Sequence, residues 1–177
     1  LSRDTHATQK TSVLKTNDHY ALRSLGLNGS NETQIVDRII GENPLRQMLL
    51  PFPGGRWQTA EASYDPRSNE WFNVYGEEDR KPGEWGHWTG RGMNWNTMCA
   101  TCHTTGYRLT KYDPATPQDT RAEWVEMGVG CETCHGPGPK HAKSRKKQDI
   151  WNFANPPPKV QSRVCGYCHI RLDNEQY

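Results

Sequence analysis

All six cysteines of this 177-residue chain occur as pairs with two residues between them, and a histidine directly follows each pair. In this Cys-x-x-Cys-His motif both thiols form thioether bonds to c-type haem, and the histidine supplies an axial nitrogen to the iron. The three motifs are Cys99, Cys102 and His103, then Cys131, Cys134 and His135, then Cys165, Cys168 and His169. The spacing therefore predicts three covalently bound haem c groups, each with its iron.

Zinc sites and disulfide bonds are the alternative interpretations of paired cysteines. A zinc site does not require a histidine after every second cysteine, and disulfide bonds do not require a two-residue gap in every pair. The use of all the cysteines in one repeated pattern therefore favours haem over both alternatives.

The group on the far side of each iron decides between an electron carrier and an enzyme. A second histidine closes the iron to substrates, whereas an open axial position permits substrate chemistry. Outside the motifs the chain has four histidines, one more than three irons require: His6, His19, His87 and His141.

We place His141 and His87 first among these candidates for the second axial position, followed by His6 and then His19. His141 lies only six residues after His135, which is itself the expected ligand of the haem on its own motif. We therefore expect His141 to bind a neighbouring haem. Methionine sulfur is the competing ligand, and it ranks below the histidines at all three nearby positions: Met93, Met98 and Met127.

Composition indicates that haem forms much of the core. Only 33% of the residues are hydrophobic, against about 45–50% in typical globular domains, and we expect the apoprotein not to fold. The formal charge of +2 becomes roughly −4 once the two propionates of each haem are ionised, which predicts no nucleic-acid partner. The basic run at residues 140–147 is a docking patch, a partner of the propionates or a solvated face.

The sequence predicts no membrane span, because no stretch approaches the roughly 20 apolar residues that a span requires. The chain begins with a polar segment and lacks the apolar core of a signal peptide, so we interpret it as mature or trimmed. Because c-type haem is attached outside the cytoplasm in prokaryotes, we expect a periplasmic or extracellular location.

The expected fold is mostly irregular, with short helices around stacked c-type haems and a small antiparallel β meander in the N-terminal half. We expect a single trihaem domain over residues 1–177. It comprises a polar N-terminal segment (1–32), the β meander (33–76) and the haem-binding region (77–177). Within the polar segment, residues 14–27 have at most a short strand or a turn.

Local patterns refine this expectation. The runs 34–40 and 45–52 predict strands, with a helix at 45–50 as the alternative, and residues 56–64 and 70–75 predict a hairpin around 65–69. In the haem-binding region a helix at 120–127 enters the second motif, residues 136–139 stop any regular element, and residues 155–158 form an extended linker. Three tryptophans either pack against haem or fill an ordinary core: Trp85, Trp88 and Trp95.

Five segments together resemble a family of multihaem c-type cytochromes that is often fused to tetratricopeptide repeats and is loosely related to the hydroxylamine-oxidoreductase group. They are NPLRQML at 43–49, WFNVY at 71–75, HWTG at 87–90, NWNTMCATCH at 94–103 and GVGCETCHGPG at 128–138. The resemblance covers approximately residues 33–170. It implies that His141, after the Gly-Pro-Gly segment, binds a different haem and that His87 is also a ligand. Family members usually carry another haem motif before the β region, and this sequence has neither that motif nor the repeats.

The predicted function is electron transfer along three closely spaced haems, with redox proteins as partners. The chain then acts as a soluble shuttle, as a module of a redox complex or as a unit of an extracellular cytochrome filament. In one interpretation the surplus histidine, His6 or His19, reaches a neighbouring copy, because their polar segment has little apolar content to hold it on its own core. The alternative to this exchange is a monomer with one solvent-exposed histidine. The alternative is an enzyme with one open iron that reduces a nitrogen or sulfur oxyanion, using Arg91, Tyr107 and Lys111.

Overall fold

The computed structural model of the chain describes residues 2–6, 9–116, 120–154 and 156–169. The chain divides into two compact units, a first unit of Leu1–Met98 with Lys111–Arg121 and a second unit of Cys99–Thr110 with Ala122–Tyr177. Antiparallel sheets build the first unit, and short helices carry the three motifs of the second. Across the described ranges, every helix is too short or too polar to cross a membrane.

A four-stranded antiparallel sheet forms the N-terminal part of the first unit. Its strands follow one another in chain order: β1 Ser2–His6, β2 Gln9–Lys15, β3 Tyr20–Leu25 and β4 Asn31–Ile35. Asn28 fixes the turn before β4, because its Oδ1 accepts the Ser30 N–H at 2.9 Å, and Gly29 supplies a φ of 76°. Residues 14–27, for which we expected a short strand or a turn, contain the end of β2, a turn and β3. A strand needs apolar side chains on only one face, and Val13 and Leu22 are buried there.

A second four-stranded antiparallel sheet confirms the predicted meander. Its strands also follow chain order: β5 Arg38–Ile40, β6 Arg46–Phe52, β7 Arg56–Asp65 and β8 Glu70–Asn73. The predicted hairpin is present between β7 and β8, where the Asp65 Oδ1 accepts the Arg67 N–H at 2.8 Å and Asn69 has a φ of 60°. A short polar side chain tolerates this left-handed conformation better than most residues do.

Two details of the meander differ from expectation. The helical alternative for residues 45–50 is wrong, since these residues pair along β6 with β7. The run 34–40 is not one strand, because β4 ends at Ile35 and β5 begins at Arg38 in the other sheet. Between them, the Val36 N–H donates to the Tyr20 carbonyl of the first sheet and the Asp37 N–H donates to the Leu49 carbonyl of the second. The chain therefore changes sheets at this point.

Apolar side chains from both sheets form the core of the first unit: Val13, Leu22, Met48, Leu50, Ala60, Ala62 and Trp88. Trp88 is 2% exposed, and its ring meets Phe52 edge to face with centroids 5.9 Å apart. Burial of one such large side chain stabilises the fold by about 1.5–3 kcal/mol. Ordinary core packing therefore accounts for Trp88, whereas Trp85 is 57% exposed.

The chain after β8 returns to the second sheet through a 3-10 helix at Arg91–Met93 and helix α1 at Trp95–Met98. Asn96 joins α1 to the turn between β6 and β7. Its Oδ1 accepts the Trp57 N–H at 2.8 Å, and its Nδ2 donates to the Gly55 carbonyl at 3.3 Å. These bonds hold the residues that directly precede the first motif.

The second unit consists of short elements around the motifs. Its helices are α2 Ala100–His103, α3 Cys131–His135, α4 Pro139–Ser144 and α5 Pro158–His169, with a 3-10 helix at Lys147–Asp149. Short strands run between α2 and α3: β9 Thr104–Thr105, β10 Arg108–Lys111, β11 Arg121–Glu123 and β12 Glu126–Met127. Strand β9 pairs with β12, and β10 pairs with β11.

The predicted helix at 120–127 is wrong, because this segment pairs with β9 and is extended. The Val125 N–H donates to the Thr105 carbonyl at 2.8 Å. The Thr105 hydroxyl donates to the Gly128 carbonyl at 2.9 Å and accepts the Gly130 N–H at 2.7 Å. Thr105 thus supplies hydrogen-bond partners for backbone groups of three residues that precede the second motif.

The proline-rich segments behave only partly as expected. Residues 136–139 end α3, but α4 begins at once with Pro139 at its first position. Proline lacks only an N–H there that would have no intrahelical partner. Residue 155 lies outside the described residues, and α5 already begins at Pro158. The extended linker at 155–158 is therefore shorter than predicted.

Candidate haem-binding site

Each of the three motifs coincides with about one turn of helix. Cys99 caps α2, the second motif is α3, and the third motif ends α5. Residues three or four positions apart lie on the same side of a helix. The two cysteines and the histidine of a motif therefore lie on one side, which is the arrangement that one flat haem requires.

The second cysteines of the three motifs converge within the second unit. The Cys168 thiol is hydrogen-bonded to Cys102, and Cys134 lies near enough to act on it electrostatically. Burial, followed by these two neighbours, raises the pKa of Cys168 to about 11. No cysteine in the described part of the chain forms a disulfide bond, so none of them is withdrawn from thioether chemistry.

A cavity of about 530 Å³ opens at this cluster. Cysteines from all three motifs line it, together with the histidine of the third: Cys102, Cys134, Cys165, Cys168 and His169. Val129, Val160 and Val164 supply apolar lining. The thiols can attach a c-type haem, the imidazole can bind its iron, and the aliphatic side chains can pack against its ring. The residues present therefore fit this group.

A backbone carbonyl orients the imidazole of His135. Its Nδ1 lies 2.9 Å from the Trp151 carbonyl oxygen. Because a carbonyl can only accept, Nδ1 donates to it, and in the neutral imidazole the lone pair then lies on Nε2. Phe153 packs edge to face on the imidazole, with centroids 5.2 Å apart. Metal-binding histidines commonly have such a backbone acceptor on their other nitrogen.

His135 also lines a second cavity of about 730 Å³ in the second unit. Trp151 and two cations, Lys140 and Lys147, share its lining. Lys140 pairs with Asp149 at 2.5 Å. Part of the basic run 140–147 is thus placed beside a motif histidine, where it can pair with acidic groups.

His141 shows the same pattern as His135. Its Nδ1 donates to the Lys146 carbonyl at 2.9 Å, so in the neutral imidazole the lone pair lies on Nε2. The residue is half-buried in α4, and Arg145 ends that helix in a left-handed conformation with a φ of 56°. That turn returns the chain so that the Lys146 carbonyl reaches the imidazole.

Of the candidate ligands whose side chains the structure describes, His87 is the most enclosed. The side chain is 0% exposed, and its Nδ1 lies 2.8 Å from the Thr89 hydroxyl oxygen. Its Nε2 is buried and has no hydrogen-bond partner among the described residues. Burial lowers the pKa of His87 to about 4 against a smaller opposing effect of Glu84. The imidazole is therefore neutral at neutral pH, which is the form that binds a metal.

Strand β7 holds the loop that carries His87. Gln58 Nε2 donates to the carbonyls of Trp88 and Gly90, each at 2.8 Å. Glu61 Oε1 accepts the Trp88 N–H at 2.6 Å. The sequence interpretation missed Gln58 and Glu61. The sequence gives no clear signal for them, because β7 also contains other polar residues. Only the burial of the strand centre shows that these side chains require specific partners.

The other candidate ligands are less enclosed. His103, His169 and His19 are exposed, and His19 lies in the turn between β2 and β3. The backbone of His6 pairs with Gln9 at the end of β1, whereas its side chain lies outside the description. Residues 10–35 are anchored through the buried side chains of β2 and β3. The expectation that this segment is not held on its own core is therefore wrong.

The structure also gives the surroundings of the three methionines that compete with histidine as second axial ligands. The Met93 sulfur accepts the Tyr75 hydroxyl at 3.1 Å, Met98 is half-buried in α1, and Met127 is 37% exposed.

Of the groups expected for an enzyme, Tyr107 belongs to the second unit, and Arg91 and Lys111 belong to the first. Burial raises the pKa of Tyr107, which keeps its hydroxyl protonated.

Comparison with known proteins supports the interpretation of the motifs. Residues 76–136 match the family of cytochrome c554 and c-prime. This range contains the first two motifs and His87. The predicted resemblance to multihaem c-type cytochromes is thereby confirmed over these residues. No curated protein matches the chain.

Two solved structures are similar to the chain. One is the undecahaem cytochrome from the S-layer of Carboxydothermus ferrireducens, with 21% identity, a TM-score of 0.46 and coverage of 76% of this chain and 18% of that one. The other is the outer cell wall cytochrome OcwA, with 24% identity, a TM-score of 0.46 and coverage of 71% and 23%. The chain thus spans less than a quarter of the length of either protein.

Proposed function

From the family match over residues 76–136, we propose that this chain transfers electrons through three covalently bound haem c groups. When bound, each haem supplies a one-electron iron couple. The chain attaches the haems through Cys99, Cys102, Cys131, Cys134, Cys165 and Cys168, and it provides His103, His135 and His169 as the first axial ligands.

The convergence of Cys102, Cys134 and Cys168 carries this proposal. Each is the second cysteine of its motif, and Cys102 and Cys168 are hydrogen-bonded to each other. Haems attached to thiols this close to one another have neighbouring ring edges. Electrons then pass between them without a mobile carrier, which supports a closely spaced chain of haems.

Histidine ligation closes the irons in this proposal. His141 donates through Nδ1 to a carbonyl, which in the neutral imidazole leaves the lone pair on Nε2. The buried His87 Nε2 has no partner within the described part of the chain. We propose both residues as second axial ligands. A closed iron favours an electron carrier over an oxyanion-reducing enzyme. Lys140 and Lys147, beside His135, are the proposed cationic partners of haem propionates.

We place the protein in the periplasm or outside the cell, because covalent haem is attached there in prokaryotes. Redox proteins are its partners, and a homo-oligomer or filament extends the electron path. His6 or His19 then supplies a ligand to a neighbouring copy, and a head-to-tail contact of this kind builds a filament when its rotation does not close.

Intact mass spectrometry tests the number of haems. The expected mass exceeds that of the polypeptide by three haems, and a smaller excess refutes the central proposal. Changing both Cys131 and Cys134 to serine is expected to remove one haem. Every oxidised haem is expected to be low-spin and unaltered by cyanide or nitrite, whereas a high-spin signal that responds to either favours the enzyme.

A further inference from the structure

The peptide segment at residues 146–151 holds two of the histidines that are expected to bind iron. The Lys146 carbonyl accepts the Nδ1–H of His141 at 2.9 Å. The Trp151 carbonyl accepts that of His135, also at 2.9 Å, and the Trp151 N–H donates back to the His135 carbonyl at 3.3 Å. We call residues 146–151 the acceptor segment, because its backbone orients both imidazoles.

The two histidines are expected to serve different haems. His135 follows the cysteines of the second motif, and His141 is the candidate second ligand of a neighbouring haem. All three motifs and His141 belong to the second unit. In the proposed function, the shape of the acceptor segment therefore affects the ligands of two irons within one compact unit.

Asp149 fixes the acceptor segment to helix α4, which carries His141. Its side chain is 9% exposed, and its carboxylate accepts the Lys140 ammonium at 2.5 Å and the Ser144 hydroxyl. Lys140 is the second residue of α4, and Ser144 is the last. The Lys140 side chain is 78% exposed, so water replaces the carboxylate when that pair is broken. The bond to Ser144 is therefore the more important of the two.

Ser144 and Asp149 together fix the backbone of Lys146. The Ser144 hydroxyl donates to Asp149, and its oxygen accepts the Lys146 N–H at 3.1 Å. The Asp149 N–H donates to the Lys146 carbonyl at 3.1 Å, and that carbonyl has a second lone pair for His141. The residue that accepts the His141 proton is thus held through both its N–H and its carbonyl.

Asp149 also sets the position of the Trp151 carbonyl. It is the last residue of the 3-10 helix, and Ile150 after it is extended, with a φ of −141° and a ψ of 151°. Trp151 follows, and its N–H and its carbonyl both bind His135. Because only one residue separates Asp149 from Trp151, release of the Asp149 side chain is expected to move both acceptors.

We propose that Asp149 is a positioning residue shared by two axial ligands, His135 and His141, which belong to different haems. The inference rests on the proposed function, in which both histidines bind iron. Asp149 acts through the acceptor segment and touches neither iron nor haem in this role. A residue with such a role influences two haems at once, which a substitution beside a single ligand does not.

An acceptor on the far nitrogen of a metal-binding histidine strengthens the bond to the metal, and its loss typically weakens metal binding roughly 10–100-fold. The loss also makes the imidazole a weaker electron donor, which disfavours the oxidised iron. Removal of the Asp149 carboxylate is therefore expected to raise the midpoint potentials of two haems together and to make their histidines easier to displace.

The test compares variants of the full haem-loaded protein. Asp149→Ala removes the carboxylate, and Asp149→Asn keeps an acceptor oxygen for Ser144 at nearly constant shape. The matched control is Asp65→Ala in the first unit, where a carboxylate that is 20% exposed caps its own turn and pairs with Arg67. Spectroelectrochemical titration measures each midpoint potential, and imidazole added to the solution measures how easily a histidine is displaced.

Asp149→Ala is expected to raise two midpoint potentials and to increase the affinity for added imidazole roughly 10-fold or more. Asp149→Asn and Asp65→Ala are expected to match the parent protein. Unchanged potentials in Asp149→Ala overturn the inference, and a change confined to one haem overturns the shared role. If Asp149→Ala does not fold, Ser144→Ala tests the same link: raised potentials at two haems support the inference, and any other result overturns it.

The variant His141→Ala separates the inference from the proposed function. Loss of one low-spin haem in His141→Ala together with an unaltered Asp149→Ala refutes only the role of Asp149. If His141→Ala leaves every haem spectrum unaltered, His141 is not a ligand and the inference is overturned at its premise. Mass spectrometry still tests the three haems independently of either result.

Discussion

Replacement of Gln58 by methionine is expected to destabilise the first unit and to loosen the loop that carries His87. Gln58 is 0% exposed, and its Nε2 donates to the carbonyls of Trp88 and Gly90. Methionine has a similar size and shape but no N–H. The change therefore removes two buried hydrogen bonds and leaves the packing nearly intact.

The size of the effect follows from the partners of each group. The Trp88 carbonyl loses the Gln58 donor, at a cost of about 1–3 kcal/mol. The Gly90 carbonyl keeps the Met93 N–H at 3.2 Å, so its loss is about 1 kcal/mol. The Gln58 Oε1, which has no partner in the described part of the chain, disappears as well and returns about 1 kcal/mol. The expected net loss is about 2 kcal/mol.

Guanidinium chloride titration, followed by far-UV circular dichroism of the strands, measures the free energy of unfolding. The matched control is Gln34→Met in β4, where the side chain is half-buried and makes only a 3.4 Å bond to Glu32. Its effect is expected to stay within about 0.5 kcal/mol. A Gln58→Met protein as stable as this control refutes the claim that Gln58 holds the loop.

Three further changes test other parts of the structure. Leu50→Ala, at a 0% exposed core position, is expected to cost about 3 kcal/mol of unfolding free energy in the same titration, and a cost below 1 kcal/mol contradicts the assigned core. Gly90→Ala places a Cβ against the Glu84 carbonyl, so the loop must shift; an altered low-spin haem spectrum is expected, and an unaltered spectrum contradicts the tight fit. His19→Ala and His6→Ala are made separately and examined by analytical ultracentrifugation. Cross-subunit ligation predicts that one of them lowers the assembly state, and two unchanged proteins disprove ligation through this segment.

The placement of each motif's cysteines and histidine on one side could be predicted from sequence because it depends on local spacing. One helical turn brings Cys131, Cys134 and His135 to the same side whatever the rest of the fold does. The hairpin at β7 and β8 was predictable for the same reason, since Asp65 and Asn69 act within the turn itself. Local rules determine both features.

The parts that were missed depend on partners distant in sequence. The segment 120–127 is extended because Thr105 offers it a backbone and a hydroxyl, and no local pattern encodes that pairing. Few apolar residues in 1–32 suggested weak structure, yet Val13 and Leu22 bury one face of a sheet. The same holds for His87, whose environment depends on Gln58 in a strand 29 positions earlier.

The close approach of Cys102, Cys134 and Cys168 has a consequence for biosynthesis. A thiolate is the reactive form of cysteine, and a Cys168 pKa of about 11 leaves almost none of it in the folded chain at neutral pH. Haem attachment at Cys168 is therefore expected to be slower once the three thiols have converged than while its motif is still separate from the other two.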